Sequence, residues 1–349
     1  MSASRYKKLP KDSWKNSAAL VADLNDHGFQ AEIPQKYTEH LSQNWSGLQS
    51  FKSSSLGPEL SSLAFTKKKM PPDLQQQWGL LLSEKDLVLE NSLQVKNVEA
   101  AADFMLRKMI HEDWAGESAP VPEGVLAEVG VCIGPDCVIE KGVILEAGVR
   151  LGARVFIGAG TRIGANSRIG DDVKIGKNCR FYGPVAIAGD GFGLVVYPQD
   201  PLPRQKAHAG TVCIGDGVRL GSFVSIDRGV LEDTVIGSRS HLDNIIQIGH
   251  NSKTGTATVM CSFVGLAGST IVGDYVSFGG LVVTKGHLSI GDHSQIGAYT
   301  AIPKSLAAHS QVRGYPPKPI LRDLKIQSII GKLPELYKTI REMEKKLNG

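Results

Sequence analysis

A parallel β-helix is the fold class this sequence predicts, and three observations carry it. A large apolar residue recurs at every sixth position: Ile133, Ile139, Leu145, Leu151, Ile157, Ile163, Ile169, Ile175, Phe181 and Ile187. Two positions before these sits a small or β-branched residue, as at Cys137, Val143, Val149, Val155, Thr161, Ser167, Val173, Cys179 and Val185. Glycine follows the apolar residue directly at Gly152, Gly158, Gly164, Gly170 and Gly176. A period of six matches neither the 3.6 of a helix nor the 2.0 of an ordinary strand. It is the hexapeptide signature of a solenoid in which each coil buries its apolar residues against its neighbours.

The elements follow in order. Residues 1–116 hold no hexad and read as a small α/β domain. SAALVADLNDHG and NVEAAADFMLRKMI are its helical segments, and GLLLSEKDLVLE is its strand material. Glu117 to Pro122 reads as a stiff polar linker, and the β-helix domain is expected over residues 117–312. An insertion at 188–213, AGDGFGLVVYPQDPLPRQKAHAG at its heart, is too polar and Pro-rich for a coil wall. An interruption of this length in a regular solenoid is usually functional. Ile214, Leu220 and Ile226 restart the phase, which jumps by ten to Ile236. It then runs at sixes through Leu242, Ile248, Thr254, Met260, Leu266, Val272, Phe278, Thr284, Ile290, Ile296 and Ile302, with Thr254 and Thr284 as imperfect members. Three hexads per triangular coil make about nine coils, a prism on the order of 40 Å tall at ~4.8 Å per strand.

Residues 313–349 read as C-terminal helices. Ile326, Ile330, Leu333, Tyr337, Ile340 and Leu347 form a narrow stripe, and Gly331 with Pro334 predicts two short helices rather than one. Such a stripe suits a partner surface, with a fold-back onto the prism as the alternative.

Composition narrows the function. The net charge of +4 is mild and spread out, which argues against nucleic acid and suits an acidic protein partner. The five cysteines, Cys132, Cys137, Cys179, Cys213 and Cys261, include no CxxC pair and read as reduced thiols of a cytoplasmic protein. The N-terminus lacks the apolar core of a secretory signal, and no apolar run is long enough to span a bilayer.

A solid prism leaves chemistry to its outer surface. The densest polar group is Asp243-Asn-Ile-Ile-Gln247-Ile-Gly-His250-Asn251. Ile248 points inward, so His250 falls near a corner, with Asp243 just over one face earlier. A carboxylate in reach of an imidazole fixes its tautomer and raises its basicity, as a general base requires. Spacing alone leaves open whether His250 is such a base or a solvated turn residue. Gly268 follows His250 by one coil of 18, where its open N–H suits an oxyanion; His287 follows two coils on, displaced by one. The three make one column. His287 and His293 lack a third ligand at matching spacing, so no metal is expected.

The ordered set GDGFG at 189–193, IDRG at 226–229, DNIIQIGHN at 243–251, GLAGST at 265–270 and GHLSI at 286–290 resembles the hexapeptide-repeat acyltransferases. In particular it resembles the UDP-3-O-(3-hydroxyacyl)glucosamine N-acyltransferases of lipid A biosynthesis, over residues 120–349. The resemblance implies a left-handed β-helix, a cytoplasmic homotrimer with sites between subunits, and no cofactor. The donor it implies is a 3-hydroxyacyl thioester on the phosphopantetheine of acyl carrier protein, and the acceptor is the 2-amine of a UDP-3-O-acylglucosamine. His250 would then be the base and Asp243 its orienting partner, with the Gly268 N–H as oxyanion donor and His287 assisting. Gln247 and Asn251 would contact substrate, and Asp190 and Phe192 would border the sugar or pantetheine channel. Arg313, Lys318, Arg322 and Lys325 would dock the carrier, and Tyr299 and Ala301 would lie near the floor of an acyl pocket.

The N-terminal domain departs from the family's uridine-gripping segment. Its nearest stretch is Ser62-Leu-Ala-Phe-Thr-Lys-Lys-Lys69, whose Lys67, Lys68 and Lys69 read either as pyrophosphate contacts or as a solvated run. The rival functions are O-acyl transfer, acetyl-CoA-dependent N-acetylation of another nucleotide sugar, and a non-catalytic β-helix scaffold.

Overall fold

The structure is a computed structural model that describes residues 17–26, 47–50, 62–66, 80–84, 92–95, 97–109, 116–313 and 320–347. Its body is a left-handed parallel β-helix of about ten turns. Three parallel sheets form the faces of the prism, with eight, ten and nine strands. The eight-stranded face ends on Ser289–Ile290, the ten-stranded face on Gln311–Val312 and the nine-stranded face on Ala301–Ile302. Most strands contribute only two residues, an outward one and an inward apolar one, as in Arg162–Ile163 and Gln247–Ile248.

The repeat sets the ladder. Phe156 pairs with Lys174 and Arg162 with Arg180, each 18 residues on, so every backbone group meets its equivalent one coil away. The inward residues Leu145, Ile157, Ile163, Ile175, Leu220 and Ile248 are fully buried in one continuous core. Several of the small inward hydroxyls donate to the corner carbonyl three residues before, as Ser240 does to Gly237 and Thr300 to Gly297, while Thr161 donates to the Gly176 carbonyl of the next coil. The two imperfect members have the same logic. Thr254 Oγ1 accepts from the Gly237 N–H and Thr284 Oγ1 from the Ala267 N–H, each at 3.1 Å, so a hydroxyl replaces a methyl to satisfy a corner donor.

The corners explain the aspartates that follow an inward Ile or Val and a glycine, as in Ile169-Gly170-Asp171 and Val272-Gly273-Asp274. Asp171 Oδ1 accepts from Ala153 N, Asp274 Oδ1 from Thr256 N and Asp292 Oδ1 from Asp274 N, each 18 residues back. Each carboxylate therefore caps the turn of the neighbouring coil, where a buried unpaired N–H would cost about 1–3 kcal/mol. One residue per corner adopts a left-handed backbone. In the first coils this is commonly Asp, Asn or Gly, which reach that region at low cost, as at Asp136, Asn166 and Gly142.

The interruption at 188–213 is an antiparallel hairpin, Leu194–Tyr197 with Asp200–Gln205, after which Cys213 pairs with Lys174 across the gap. The jump of ten before Ile236 is a loop at 228–233, and Cys213 pairs with Val235 beyond it. Ahead of the solenoid lie helix α1 (Ser17–Asp26), a four-stranded parallel sheet in sequential order and helix α2 (Val98–Met109). Helix α2 buries Val98, Ala101, Met105 and Leu106.

The C-terminal segment is a separate unit, and there the expected pair of helices is corrected to one. Helix α3 runs unbroken from Ile320 to Leu347 with Pro334 inside it. Proline removes a single N–H, and on an exposed helix water can satisfy the carbonyl left behind. Among the described residues no helix is long and apolar enough to cross a membrane.

Phe181 is among the largest fully buried side chains, and no mobile element stands ready to fill its place in the stacked coils. Phe181→Ala is expected to destabilise the solenoid by about 3–5 kcal/mol, read as a lowered urea midpoint.

Candidate functional site

The site is built on the corner that follows the nine-stranded face. Strand Gln247–Ile248 delivers Gly249, His250 and Asn251 to that corner, and the next two coils place Ala267-Gly268-Ser269 and Lys285-Gly286-His287 at the same position. Asn251, Ser269 and His287 are the left-handed residues of the three turns. The coils are tied in sequence, since Ser269 N–H donates to the His250 carbonyl at 2.8 Å and His287 N–H to the Gly268 carbonyl at 3.1 Å. His250, Gly268 and His287 thus stand in one column, as the 18-residue spacing predicts.

Gly268 matters for what it lacks. A Cβ built there would lie 2.6 Å from His250 Nε2 and 2.8 Å from its Cε1. The imidazole therefore lies across the glycine. Among the described residues the Gly268 N–H has no acceptor, so a ligand held beside His250 Nε2 meets an open donor. The neighbouring Ala267 N–H is already taken by Thr284.

The tautomer of His250 follows from its neighbour. Asn251 Oδ1 accepts from the Val230 N–H at 3.0 Å, and its Nδ2 donates to the Glu232 carbonyl at 3.1 Å, so the amide orientation is fixed. That oxygen lies 3.0 Å from His250 Nδ1, which must then carry the proton. In the neutral ring Nε2 is left with the lone pair, in the ring plane, while the face of the imidazole covers Gly268. Asn251 is itself anchored by a bond from its own N–H to Thr234 Oγ1.

Within one chain the structure does not bring Asp243 to His250. Asp243 sits one corner earlier, bonded by Ser262 Oγ and Asn244 Nδ2, because seven residues carry the chain past one whole face. Within the chain the partner that orients His250 is Asn251, which sequence reading had assigned to substrate contact. Gln247 donates to Asp227 Oδ2 at 2.9 Å, and that carboxyl is pushed above the usual carboxylate range by burial, against the pull of Gln247 and His250.

The hairpin insertion closes over the other side of the ring. A Cβ on Gly191 of the GDGFG segment would fall 2.7 Å from His250 Cβ and 2.9 Å from His208 Nε2. His208 is buried and stands edge-on to His250, with ring centroids 5.5 Å apart. Burial also pushes the His208 imidazole below its ordinary pKa, so it favours the neutral form. Asp190 lies 3.9 Å from the buried Arg228, whose Nε donates to the Ala188 carbonyl, while Phe192 is strongly exposed. Sequence reading missed His208, Asp227 and Arg228 as site residues. The IDRG motif held a signal for two of them, whereas nothing in the phase of the repeat marks His208.

A groove of about 730 Å³ opens on this corner. His250, Asn251, Ser269 and His287 line one part, and Val230, Leu231, Ile271 and Leu288 supply apolar wall. The ion pairs Lys206–Glu99 and Lys253–Glu232 flank it. A polar column with one lone pair and one open N–H beside an apolar wall suits acyl transfer to a nucleophile. Lys67, Lys68, Lys69 and Lys318 lie outside the described residues.

Comparison with known proteins gives the motif its family. Residues 130–165 and 154–189 match the model of the bacterial transferase hexapeptide, six repeats. Over those residues the chain is similar to the bacterial transferase hexapeptide family. It is 38% identical over 170 residues to a UDP-3-O-acylglucosamine N-acyltransferase of Janthinobacterium sp. (strain Marseille), a stretch covering 47% of this chain and 46% of that one. It is 40% identical over 142 residues to the protein of the same name from Campylobacter curvus (strain 525.92), covering 40% and 44%. The chain spans about half the length of the curated relatives it matches.

Gly268 has an ordinary backbone angle, so alanine is conformationally allowed and the His250 ring is the obstacle. Gly268→Ala is expected to cost about 0.5–1.5 kcal/mol of folding stability, the worth of the His250–Asn251 hydrogen bond given up as the ring moves. In a crystal structure of the variant the imidazole should be swung off the corner; an unmoved ring would refute the contact.

Proposed function

We propose that the hexapeptide-repeat chain is an N-acyltransferase. In this reading it moves a 3-hydroxyacyl group from acyl carrier protein to the 2-amine of a UDP-3-O-acylglucosamine in lipid A biosynthesis. The observation that carries it is the His250 ring, held by Asn251 in the Nδ1–H tautomer when neutral, lying across Gly268, whose N–H has no acceptor among the described residues. The names of the relatives supply the substrate class, and the column supplies the chemistry.

The acceptor amine attacks the thioester carbonyl and gives its proton to His250 Nε2 as the C–N bond forms. The carbonyl oxygen gains charge and takes the Gly268 N–H, an interaction that strengthens only as the tetrahedral intermediate develops. The C–S bond then breaks, and the imidazolium returns its proton to the departing phosphopantetheine thiolate. His287, on the same groove, assists in holding the acyl carbonyl. Asn251 holds the base in its tautomer, the part first given to Asp243. Gln247, through Asp227, and the Asp190–Phe192 segment border the sugar or pantetheine channel. No cofactor takes part.

The reading includes a cytoplasmic homotrimer. The corner between the ten- and nine-stranded faces carries Phe223, Ile245, Phe263, Leu281 and Tyr299, one coil apart, all left-handed and all exposed. A β-branched or bulky residue in that region is a genuine outlier costing roughly 1–2 kcal/mol. Strain of this kind at five successive turns is accounted for if the side chains meet another subunit. Tyr299, near which the acyl pocket floor was expected, ends that ridge. Helix α3 adds a heptad: Ile326, Leu333, Ile340 and Leu347 at one position, Ile329, Leu336 and Met343 at the other. Apolar residues in that pattern on a helix with a mostly exposed surface favour a bundle of identical helices. Exposed Arg313 and Lys325, with Lys318 and Arg322, offer charge to an acidic carrier.

His250→Ala is expected to lower kcat by about 10²–10⁴-fold in a mass-spectrometric assay of the N-acylated product. Turnover equal to wild type would remove His250 from the role of base. Phe263→Glu with Leu281→Glu should convert a trimer to a smaller species in light scattering; an unchanged mass would move the interface elsewhere.

A further inference from the structure

Helix α2 and the insertion hairpin are joined by one buried carboxylate that neither the repeat nor the groove explains. Asp103, 5% exposed, accepts from Tyr197 Oη at 2.6 Å and from Arg107 Nε at 2.8 Å on one oxygen, and from the Ala207 N–H at 2.6 Å on the other. Tyr197 lies on the outgoing strand of the hairpin, and Ala207 follows the returning strand. A single side chain on α2 therefore grips the hairpin at both its arms. Its importance shows in Tyr197, whose phenol is pushed up to about 12 by burial and by the adjacent Asp103 carboxylate.

The grip is continuous with the His250 ring. The residue after Ala207 is His208, which stands edge-on against His250 and whose Nδ1 lies 2.9 Å from the Lys206 carbonyl. Gln205 Nε2 donates to the Gly191 carbonyl at 3.1 Å, and Lys206 N–H donates to the Gly193 carbonyl at 2.8 Å. Arg107, held by Asp103, also reaches the Gln205 carbonyl. Both parts of the insertion that touch the imidazole, Gly191 and His208, are thus placed by bonds that begin at Asp103.

We propose that Asp103 is a positioning residue for His250, acting through the hairpin, with His208 and Gly191 as the surfaces that hold the ring over Gly268. Asn251 fixes which nitrogen of the ring is protonated. The clamp fixes where the other nitrogen points. The coils alone support one side of the imidazole, through Gly268; the opposite side is closed by a segment that belongs to no coil and takes its position from α2. His208 suits this place because a neutral, buried ring packs against His250 without adding charge to it.

The proposal rests on the assignment of His250 as base, and the test separates the two. Asp103→Ala and Asp103→Asn are compared with the full-length wild type by the ¹⁵N spectrum of the labelled histidine rings and by steady-state kinetics. Asparagine keeps an acceptor for Ala207 or Tyr197, and alanine keeps none. With alanine the His250 ring signals are expected to shift and broaden. In the same variant kcat should fall about 10- to 100-fold with KM for the acceptor sugar little changed, the cost expected of a small misplacement of a reacting group. Asparagine is expected to recover most of both. Should alanine prevent folding, the asparagine variant together with Tyr197→Phe carries the comparison, with a graded shift of the His250 signals expected. Unchanged His250 signals and kcat in a folded Asp103→Ala protein would overturn the proposal. A chain that transfers no acyl group but whose His250 signals still move on loss of Asp103 would overturn the assigned activity and leave the positioning intact.

Discussion

Everything in this molecule depends on the coil-to-coil backbone ladder, in which residue i meets residue i+18. The bond from Ser269 N–H to the His250 carbonyl and that from His287 N–H to Gly268 are ordinary rungs of this ladder. The same rungs recur from Leu126 to Val312. Parallel pairing at this spacing requires that every inward residue be apolar or hydroxyl-bearing, that every corner turn sharply, and that the turn's donors be satisfied. The corner aspartates Asp171 and Asp274 meet the last condition by capping the coil before, and Thr254 and Thr284 meet it from inside.

A rigid ladder has a chemical consequence. Groups far apart in sequence are held at fixed height and fixed azimuth, without the need for a flexible loop to bring them together. His250 overlies Gly268 because both occupy the same point on successive turns, and the ring has room because Gly268 and Gly286 leave that column bare. In the proposed reading, pre-organisation of this kind sets the His250 base beside the Gly268 N–H before any substrate arrives. What the ladder does not supply is the far wall of the site. That comes from the hairpin, held by α2, so the longest interruption of the solenoid is bonded through side chains to the preceding domain.

The solenoid was legible because its period is written in every hexad, and the column was legible because it obeys the same period. Register cannot reveal side-chain bonds between neighbours. Asp243 looked like the partner of His250 because a carboxylate is the commoner orienting group, yet seven residues place it beyond the face that ends at His250. Asn251, adjacent in sequence, reaches Nδ1 through its left-handed turn, which no spacing rule predicts. His208 and Asp103 escaped notice since each acts across about a hundred residues or a hairpin whose fold has no sequence period. The tail was misread at Pro334: propensity marks a break there, while the heptad on either side continues in phase as one helix.

The state of the His250 ring tests the account most directly. A ¹⁵N spectrum of the labelled full-length protein is predicted to show that the neutral His250 ring carries its proton on Nδ1 and its lone pair on Nε2. Asn251→Leu, which removes the acceptor, should turn this into a mixture of both tautomers. A neutral wild-type ring protonated on Nε2, or a spectrum indifferent to Asn251, would contradict the account, because the lone pair would then sit on Nδ1, against Asn251.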